Sequence, residues 1–510
     1  MKKTIKLLLG AIMLVAITSC SNQNKKMLSM IPQDAIVVVN LKSGSIIKNA
    51  GLEIDSKGVL ALPTSLKSSM GKDDLEAFDD MAKKIAKIGI DPSSDIFVFA
   101  SKQNLAMPVV AYVPLKDEKK TIKELSENKD FQLSFKENDG MSYALAQDSA
   151  GIVVKDNIMM VIPATGGKIV ETALLSYAKS LFNPSFEGIM ENKQAGKSLD
   201  EDDDINVYLN MRQLASLTSM FVGENPIMQL YADVDASACH ISFKDQQIKW
   251  KSEIMASDKS DYMKFMKQAF DAKPSADFLK VMPENVNGVL AFNINGANIV
   301  KFAQVNTMVQ QLDQDPELKK VDIPGTIASI NGTVAIGLVT DYAQSSYEAI
   351  ISLPSTKAQQ VQSALVDLLS MFRGVPAIPL NNSTHDVQFQ DADMALSIGY
   401  SGNTCYAKLL YMKKIASKGS AANNPEIKKF FDDNSMGCIF NFPVSGMTLH
   451  FDSKMEKDFC KSEGHFFITG KDGKKLGFLE YTNFFKALDD KVMNCGGAEG
   501  TNRAIIEGNC

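Results

Sequence analysis

Apolar residues recur along this chain with two different periods. The run from Ile36 to Val39 is apolar at consecutive positions, which is typical of a strand covered on both faces. The stretch QIKWKSEI, residues 247–254, alternates between apolar and polar positions, so it predicts a strand with one wet face. Residues 74–89 instead predict an amphipathic helix that ends at Gly89. Its apolar stripe consists of Leu75, Phe78, Met81, Ala82, Ile85 and Ile88.

The same series of sequence motifs occurs twice along the chain. The phrase VVVNLKSGSII, residues 37–47, returns as LAFNINGANIV, residues 290–300, and both follow a proline and polar residues. Four further pairs follow in the same order: VVAYVPLKDEKKTIKEL with EAIISLPSTKAQQVQSAL, NPSFEGIMEN with NPEIKKFFDD, VYLNMRQL with CIFNFPVS, and HISFKDQQIKWKSEI with HFFITGKDGKKLGFLEY. Asn424 before Pro425 is a helix-capping pair, and Asp472 with Gly473 predicts a hairpin turn. The shared order favours a tandem repeat.

The mixture of hairpins and strand–helix alternations predicts an α+β fold of two related, antiparallel-rich units with packed helices. The first unit is expected over residues 30–255 and the second over residues 281–485. Residues 256–280 connect them and include a helix around Tyr262 to Phe270, and residues 486–510 form a polar tail.

The first nineteen residues predict an export signal. Three lysines precede an uncharged apolar run, Leu7 to Ile17, that is too short to span a bilayer. Small residues then lead to Cys20, and the order Ile-Thr-Ser-Cys resembles the lipobox of bacterial lipoproteins. That resemblance implies cleavage before Cys20 and acylation of this cysteine. An ordinary signal peptide that happens to contain a cysteine is the alternative.

Acyl chains at Cys20 are expected to hold the mature chain on a membrane. Residues 20–29 are polar and lack hydrophobic periodicity, so they predict a flexible tether. Ser21 is compatible with sorting to the outer membrane, and the acidic residues that mark surface export in Bacteroides-type lipoproteins are missing. The periplasmic face is therefore favoured over the cell surface.

Charge and length narrow the class of protein. The formal net charge of the chain is −6, and removal of the signal removes three lysines and no acids. An acidic body argues against nucleic acid as a partner, because binding phosphates requires clustered lysines and arginines. Apart from the signal, no segment has 18 consecutive apolar residues.

The openings IPQDAIVVVNLKSGSIIKNAGL, residues 31–52, and MPENVNGVLAFNINGANIVKF, residues 282–302, resemble an uncharacterised lipoprotein family of Bacteroides-type Gram-negative bacteria, classified as a domain of unknown function. The resemblance covers most of the mature chain. It implies location and architecture, and it carries over no catalytic residue.

Six cysteines remain after Cys20, and their spacing matches neither a disulfide scaffold nor a zinc site. Cys495 and Cys510 bracket a polar stretch and are a possible disulfide, which would stabilise the chain by about 3 kcal/mol. Cys405 and Cys438 lie in apolar, strand-like surroundings and are expected to be small buried hydrophobes.

Four asparagines recur at strand ends and are the first site candidates: Asn40, Asn210, Asn293 and Asn441. An asparagine there can bind a ligand, but it can equally tie a turn or cap the next helix. The structural interpretation explains all four copies, so we expect a structural repeat.

Other motifs predict little chemistry. The acidic run of residues 200–204 can supply calcium ligands, but it lacks the spacing of a known calcium loop and is expected to be a solvated loop. The GKS of residues 196–198 lacks the first glycine of a phosphate loop. His450 with Asp452, or His385 with Asp386, can supply two ligands of a metal site or a base and its orienter, although a plain strand or loop histidine is favoured.

The sequence predicts no cofactor and no metal. We expect a membrane-anchored envelope lipoprotein that binds or scaffolds an envelope protein or a glycan and is more plausibly a binding module than an enzyme. Two alternatives stay open: an envelope hydrolase with a dispersed site, and an outward-facing glycan-binding or adhesion lipoprotein. The single tryptophan, Trp250, weakens the glycan alternative.

Overall fold

A computed structural model describes residues 22–55, 59–63, 67, 71–92, 94–102, 108–128, 133–146, 150–164, 168–183, 188–222, 226–270, 274–314, 318, 321–341, 346–373, 378–379, 386–391, 394–411, 415, 419–434, 436–478 and 481. The chain divides into two compact units. The first unit holds the residues up to Gly223 and Val234–Met255, and the second unit holds Glu224–Asp233 and the residues from Ala256 onward.

The first unit is built around an antiparallel sheet. Its helices are α1 (Asn22–Ser29), α2 (Ser43–Asn49), α3 (Lys72–Ile88), α4 (Glu118–Glu127), α5 (Glu171–Leu181), α6 (Lys193–Asp200) and α7 (Met211–Val222). Its strands are β1 (Val37–Leu41), β2 (Glu53–Ile54), β3 (Leu60–Ala61), β4 (Ile96–Ala100), β5 (Val109–Pro114), β6 (Lys136–Asn138), β7 (Met141–Ala146), β8 (Ala150–Lys155), β9 (Ile158–Pro163), β10 (Ile205–Asn210), β11 (Val234–Ser242) and β12 (Ile248–Ala256).

Nine of these strands pair in the order β11-β10-β1-β4-β5-β9-β8-β7-β6. One face of this sheet and helices α1, α5 and α6 enclose the core. Val38, Phe97 and Tyr112 are fully buried there, together with Leu174 of α5 and Leu199 of α6. The core therefore draws on both ends of the first unit's sequence.

Helix α1 corrects the prediction of a flexible tether over residues 20–29. Residues 22–29 are helical, and Met27 and Leu28 belong to the buried core. The polar NQNKK segment hid the signal, because only the last turn of the helix is apolar. Burial of two large apolar side chains is worth several kcal/mol in total, enough to order a short helix.

Helix α3 confirms the predicted amphipathic helix and its end. It ends at Ile88, and the following Gly89 adopts the left-handed conformation, with φ of 82°. Asp117 likewise caps α4, its side chain accepting a hydrogen bond from the backbone of Lys120. Local sequence chemistry sets these two boundaries.

The second unit likewise contains helices and a set of paired strands. Its helices are α8 (Pro226–Ala232), α9 (Asp261–Ala269), α10 (Gly296–Ile299), α11 (Ala303–Asp313), α12 (Ile323–Ser329), α13 (Ala358–Arg373) and α14 (Pro425–Asp433). Its strands are β13 (Gly288–Asn295), β14 (Asn331–Asp341), β15 (Ser346–Pro354), β16 (Ile378–Pro379), β17 (Val387–Asp391), β18 (Met394–Ser401), β19 (Thr404–Tyr411), β20 (Met436–Val444), β21 (Met447–Met455) and β22 (Lys461–Thr469).

These ten strands pair, again antiparallel throughout, in the order β22-β21-β20-β13-β14-β15-β19-β18-β17-β16. In both units the first strand of the main sheet lies in the interior of that sheet, with the next strand of the same sheet on one side and a much later strand on the other. The two orders match position by position over nine strands. The α+β prediction is confirmed, and descent of the two units from one duplicated ancestor stays a prediction.

Two of the apolar clusters that stabilise the second unit lie on opposite faces of its sheet. One cluster packs Val289, Ala335 and Ile350 of the sheet against Phe431 of α14 and Leu279 of a short 3-10 helix. The other cluster lies on the opposite side of the sheet, where α13 covers β15, β17, β18 and β19. Helix α13 therefore covers only part of its face of the sheet.

The last predicted hairpin forms at its turn, where the amide of Leu476 donates to the carbonyl of Ile468, but its second strand does not form. Strand β22 pairs with β21, and Gly473 adopts the positive φ expected of a turn residue. The chain beyond the turn makes a single bridge, Thr469 with Lys475, instead of a strand. Phe478 and Tyr481 pack on Ile468 and its neighbours. In this segment the aromatic rings pack on the sheet, and the backbone does not continue the strand pairing.

Across the residues that are described, none of the helices has the length and apolar content needed to cross a membrane.

Candidate functional site

The four asparagines that recur in the sequence have different structural roles. Asn40 is buried, and its amide nitrogen donates to the backbone oxygen of Leu199 at 2.9 Å. Asn210 accepts a hydrogen bond from the backbone of Gln213 at 3.1 Å, within the first turn of α7. Asn293 lies on β13 opposite Thr333. The asparagines therefore do not converge on one site.

Asn441 is the member of this set that joins other polar side chains. Its side-chain oxygen lies 2.7 Å from Nδ1 of His450, and its nitrogen donates to Glu426 at 3.3 Å. Nε2 of His450 lies 3.1 Å from the hydroxyl of Thr469. Burial lowers the pKa of His450, so the neutral imidazole is favoured. The result is a polar ladder across β20, β21 and β22.

Equivalent backbone hydrogen bonds, one within each unit, show which residues of the two units correspond. The amide of Asn210 donates to the carbonyl of Ile36, and the amide of Asn441 donates to that of Asn287. Counting from Ile36 and Asn287, Asn40 corresponds to Ala291 and not to Asn293. The repeated phrase is therefore two residues out of register. A shift of two keeps the same face of the strand, so the apolar pattern survives it.

A buried polar cluster surrounds Asn40, and sequence reasoning missed its main member, Asp95. The carboxylate of Asp95 accepts a hydrogen bond from Asn40 at 3.3 Å, and the backbone of Asp95 donates to Asn24. Burial raises the pKa of Asp95 against the opposing influence of Asn40, Lys42 and Asn24. The side-chain oxygen of Asn40 finds no partner among the described residues. Only tertiary contacts bring these groups together, since they lie in separate segments.

The acidic run divides into exposed and buried residues. The side chain of Asp202 is 98% exposed, with Lys42 and Lys244 at 4.0 and 3.9 Å. Asp204 is fully buried, and Asn49 donates to both of its oxygens at 2.9 and 3.1 Å. The expectation of a solvated loop is right for Asp202 and wrong for Asp204.

Asp204 is already paired with protein donors, since the backbone amide of Phe243 also donates to it. In the part of the chain that is described, no three His, Cys, Asp or Glu side chains are arranged as a metal site would need. The GKS sequence lies inside helix α6, where Gly196 and Ser198 are buried. A helical backbone cannot form the loop that cradles a phosphate.

The structure does not form the His450–Asp452 pair considered from the sequence. Asp452 pairs with His465, at 3.0 Å, and not with His450. Asp386 accepts a hydrogen bond from Tyr406, and His385 lies outside the described residues. His240 lies 2.7 Å from the side-chain oxygen of Asn206, and burial lowers its pKa.

The cysteines divide by location. Cys405 is fully buried, as predicted, and burial raises the pKa of its thiol to about 12, which makes it unreactive. Cys438 is half-buried. Cys20, Cys495 and Cys510, and with them the lipidation and disulfide predictions, lie outside the described residues.

Part of one face of the second unit's sheet is apolar without being covered. We call this the open sheet face, defined by Leu290, Ile336, Leu338, Tyr347, Leu409 and Tyr411 on the neighbouring strands β13, β14, β15 and β19. Ile336, Leu409 and Tyr411 are 36%, 38% and 41% exposed. Large apolar side chains exposed together on one surface commonly mark a binding region.

The open sheet face begins where α13 ends its cover. Along β19 the side chains of one face pass from Cys405, fully buried beneath α13, through Ala407, 8% exposed, to Leu409 and Tyr411. The apolar pattern continues although the helix does not. The sequence of β19 gives a weak indication of this continuous apolar face, because Lys408 separates the apolar residues Ala407 and Leu409.

Charge is confined to the opposite face. Successive side chains of a strand point to opposite faces, so position parity assigns each residue. On strands β13 to β15 and β19 to β22, every Asp, Glu, Lys and Arg lies on the other face: Asp341, Glu348, Lys408, Asp452, Lys454, Lys461 and Glu463. The open sheet face is therefore uncharged as well as exposed.

A comparison with protein families matches residues 28–417 to the domain of unknown function DUF4836. Among curated proteins, none matches the sequence. Crystal form III of TP0453 is similar over 48% of this chain and 86% of its own, with 9% identity and a TM-score of 0.28. Crystal form I of TP0453 is similar over 44% and 77%, with 9% identity and a TM-score of 0.26. Because the family match spans most of the sequence, the chain belongs to the DUF4836 family.

Proposed function

We propose that this chain is a lipoprotein of the cell envelope, acylated at Cys20, which binds an apolar partner through the open sheet face and catalyses no reaction. Its site of action is the periplasmic face of the outer membrane in a Bacteroides-type bacterium. The anchored end of the chain confines the protein to the membrane, and the second unit engages the partner.

The location is supported by the sequence alone. The basic start, the short apolar run and the Ile-Thr-Ser-Cys order before the predicted cleavage site are those of a lipoprotein signal. The resemblance to lipoproteins over residues 31–52 and 282–302 points the same way.

The binding role is supported by one observation, the exposed and uncharged state of the open sheet face. Leaving a large apolar side chain half exposed forfeits part of the roughly 1.5–3 kcal/mol that its full burial contributes. Several such side chains on adjacent strands make a surface that gains stability when a partner covers it.

Acylation is tested by mass spectrometry of the N-terminal peptide of the chain purified from its own membranes. We expect a diacylglyceryl or triacyl mass on Cys20, and a shift of the Cys20→Ser variant into the soluble envelope fraction. An unmodified Cys20 in the membrane-purified protein would overturn the proposal.

A second candidate function, an envelope hydrolase, is favoured by the polar ladder of Thr469, His450 and Asn441. A hydroxyl 3.1 Å from an imidazole whose other nitrogen meets an amide oxygen at 2.7 Å has the order of a nucleophile, a base and an orienter. An enzyme of this kind would lose hydrolysis of ester substrates in Thr469→Val while keeping its fold. Hydrolysis that is equal in the variant and the wild type excludes it.

A further inference from the structure

We propose that the open sheet face holds the hydrocarbon chains of a membrane phospholipid. This inference rests on the proposed function and names the chemistry of the partner. The lipid in question is a bilayer lipid and not the acyl group on Cys20 of the same chain.

Charge complementarity carries the first step. A peptide or protein partner generally presents polar or charged groups, and desolvating them against an uncharged surface costs free energy. Hydrocarbon chains carry no such groups. The open sheet face offers them leucine, isoleucine and tyrosine side chains, and Lys408 and Glu348, which alternate with these residues, pair with each other on the far side at 4.0 Å.

The composition of one edge carries the second step. Tyr347 and Tyr411 face each other across β15 and β19, with ring centroids 6.2 Å apart. Each has an apolar ring and a hydroxyl tip, the combination that is enriched where hydrocarbon meets water. Leu409 and Leu338 continue the face from this pair, so the polar end of a lipid belongs beside the tyrosines and its chains beside the leucines.

Location carries the third step. Acyl chains at the N-terminus would keep the second unit beside a bilayer permanently, so lipid is supplied at high local concentration. A second copy of this chain is the competing occupant, but a homodimer interface usually has a polar rim around its apolar core. On its four strands, none of the residues that point to the open sheet face is charged.

The test uses the full, acylated chain reconstituted in phosphatidylethanolamine vesicles that contain a diazirine-labelled phospholipid. After illumination, mass spectrometry locates the labelled peptides. We expect label on β15 and β19, over Ser346–Pro354 and Thr404–Tyr411. Because the photoreactive group is on bilayer lipid only, label cannot come from the acyl group on Cys20.

Leu409→Lys is the diagnostic variant, and Leu312→Lys is its matched control. The two leucines are 38% and 41% exposed, and Leu312 lies on α11 and not on a strand of the open sheet face. A lysine in a hydrocarbon contact should reduce labelling of β15 and β19 by about tenfold or more, because desolvating its ammonium is costly. The control should label like the wild type.

Ile336→Gln provides a second variant in case Leu409→Lys fails to fold, with thermal unfolding as the check. Equal labelling of wild type, Leu409→Lys and Ile336→Gln would overturn the inference, as would crosslinked homodimers in place of lipid adducts. Those outcomes leave the acyl mass on Cys20 intact. Failure of the lipid inference is thereby distinguished from failure of the proposed function.

Discussion

At the scale of single residues, Asp95 is a carboxylate that folding moves away from water. Burial raises its pKa, so the folded chain binds a proton more readily than the unfolded chain. Stability from this group is present below the unfolded pKa and is lost as pH rises through the folded pKa. Asp95→Asn keeps an acceptor for Asn40 and removes the charge.

We therefore expect Asp95→Asn to raise the free energy of unfolding at pH 7, by less than about 2 kcal/mol, and to remove the corresponding loss of stability above pH 4. Denaturant unfolding at several pH values measures both. Asp156→Asn is the control, because the Asp156–Lys26 pair is about half exposed and should contribute less than about 1 kcal/mol. A less stable Asp95→Asn at pH 7 would mean that its attraction to Lys42 outweighs its burial.

Two buried tyrosines differ in one hydrogen bond. The hydroxyl of Tyr177 has no partner among the described residues, and burial raises its pKa to about 12. The hydroxyl of Tyr112 donates to the backbone oxygen of Met30 at 3.2 Å. Tyr177→Phe should raise the free energy of unfolding by about 1 kcal/mol, and Tyr112→Phe should lower it by about as much. Opposite signs in denaturant melts check this pair; a loss in both variants would show that Tyr177 has a solvent partner.

At the scale of elements, end signals in the sequence were the reliable ones. Gly89 ends α3, and Asn424 caps α14 with Pro425 at its first position, as predicted. Both depend on residues adjacent in sequence, which a local pattern can reveal. Helix α1 and the segment after β22 depend on distant apolar partners, so their local sequences pointed to a tether and a strand instead.

Replacing two helical glycines by alanine should change the free energy of unfolding in opposite directions. A Cβ on Gly296, in α10, would lie 1.8 Å from the backbone oxygen of Ile327, in α12. A Cβ on Gly196, in α6, would meet nothing closer than Met190 at 3.5 Å.

Gly296→Ala should therefore cost about 2–4 kcal/mol, because one of two close helices must move. Gly196→Ala should instead stabilise the chain by about 0.5–1 kcal/mol through helix propensity. Urea melts of both variants measure this. A tolerated Gly296→Ala would contradict the close approach of α10 and α12.

At the scale of the whole molecule, the sequence revealed the α+β class and a common order of elements, and it missed the surface that we propose to be functional. The order of elements can be predicted because each strand and helix has its own hydrophobic periodicity in the sequence. The open sheet face cannot be predicted in this way, since its exposure depends on where α13 stops along β15 and β19. The same limit applies to Asp95 and Asp204, whose burial is a property of packing.

Each unit contains one half-buried histidine beside an asparagine oxygen, and the pair predicts how the whole molecule responds to acid. Burial lowers the pKa of His240 and of His450 below the ordinary value of 6.5. Below that value the unfolded chain binds protons that the folded chain refuses, so stability falls as pH drops under about 6.5.

Replacing each histidine by glutamine, which keeps a donor for Asn206 or Asn441, should remove its share of this fall, and the double variant should show the flattest profile between pH 5 and 7. Unfolding free energies across that range measure the slopes. Because the two histidines lie in different units, each single variant should flatten only part of the slope. An unchanged slope in both single variants would contradict the assignment of the acid response to these histidines. Asp95 cannot supply that response, because burial raises its pKa and its effect on stability has the opposite sign.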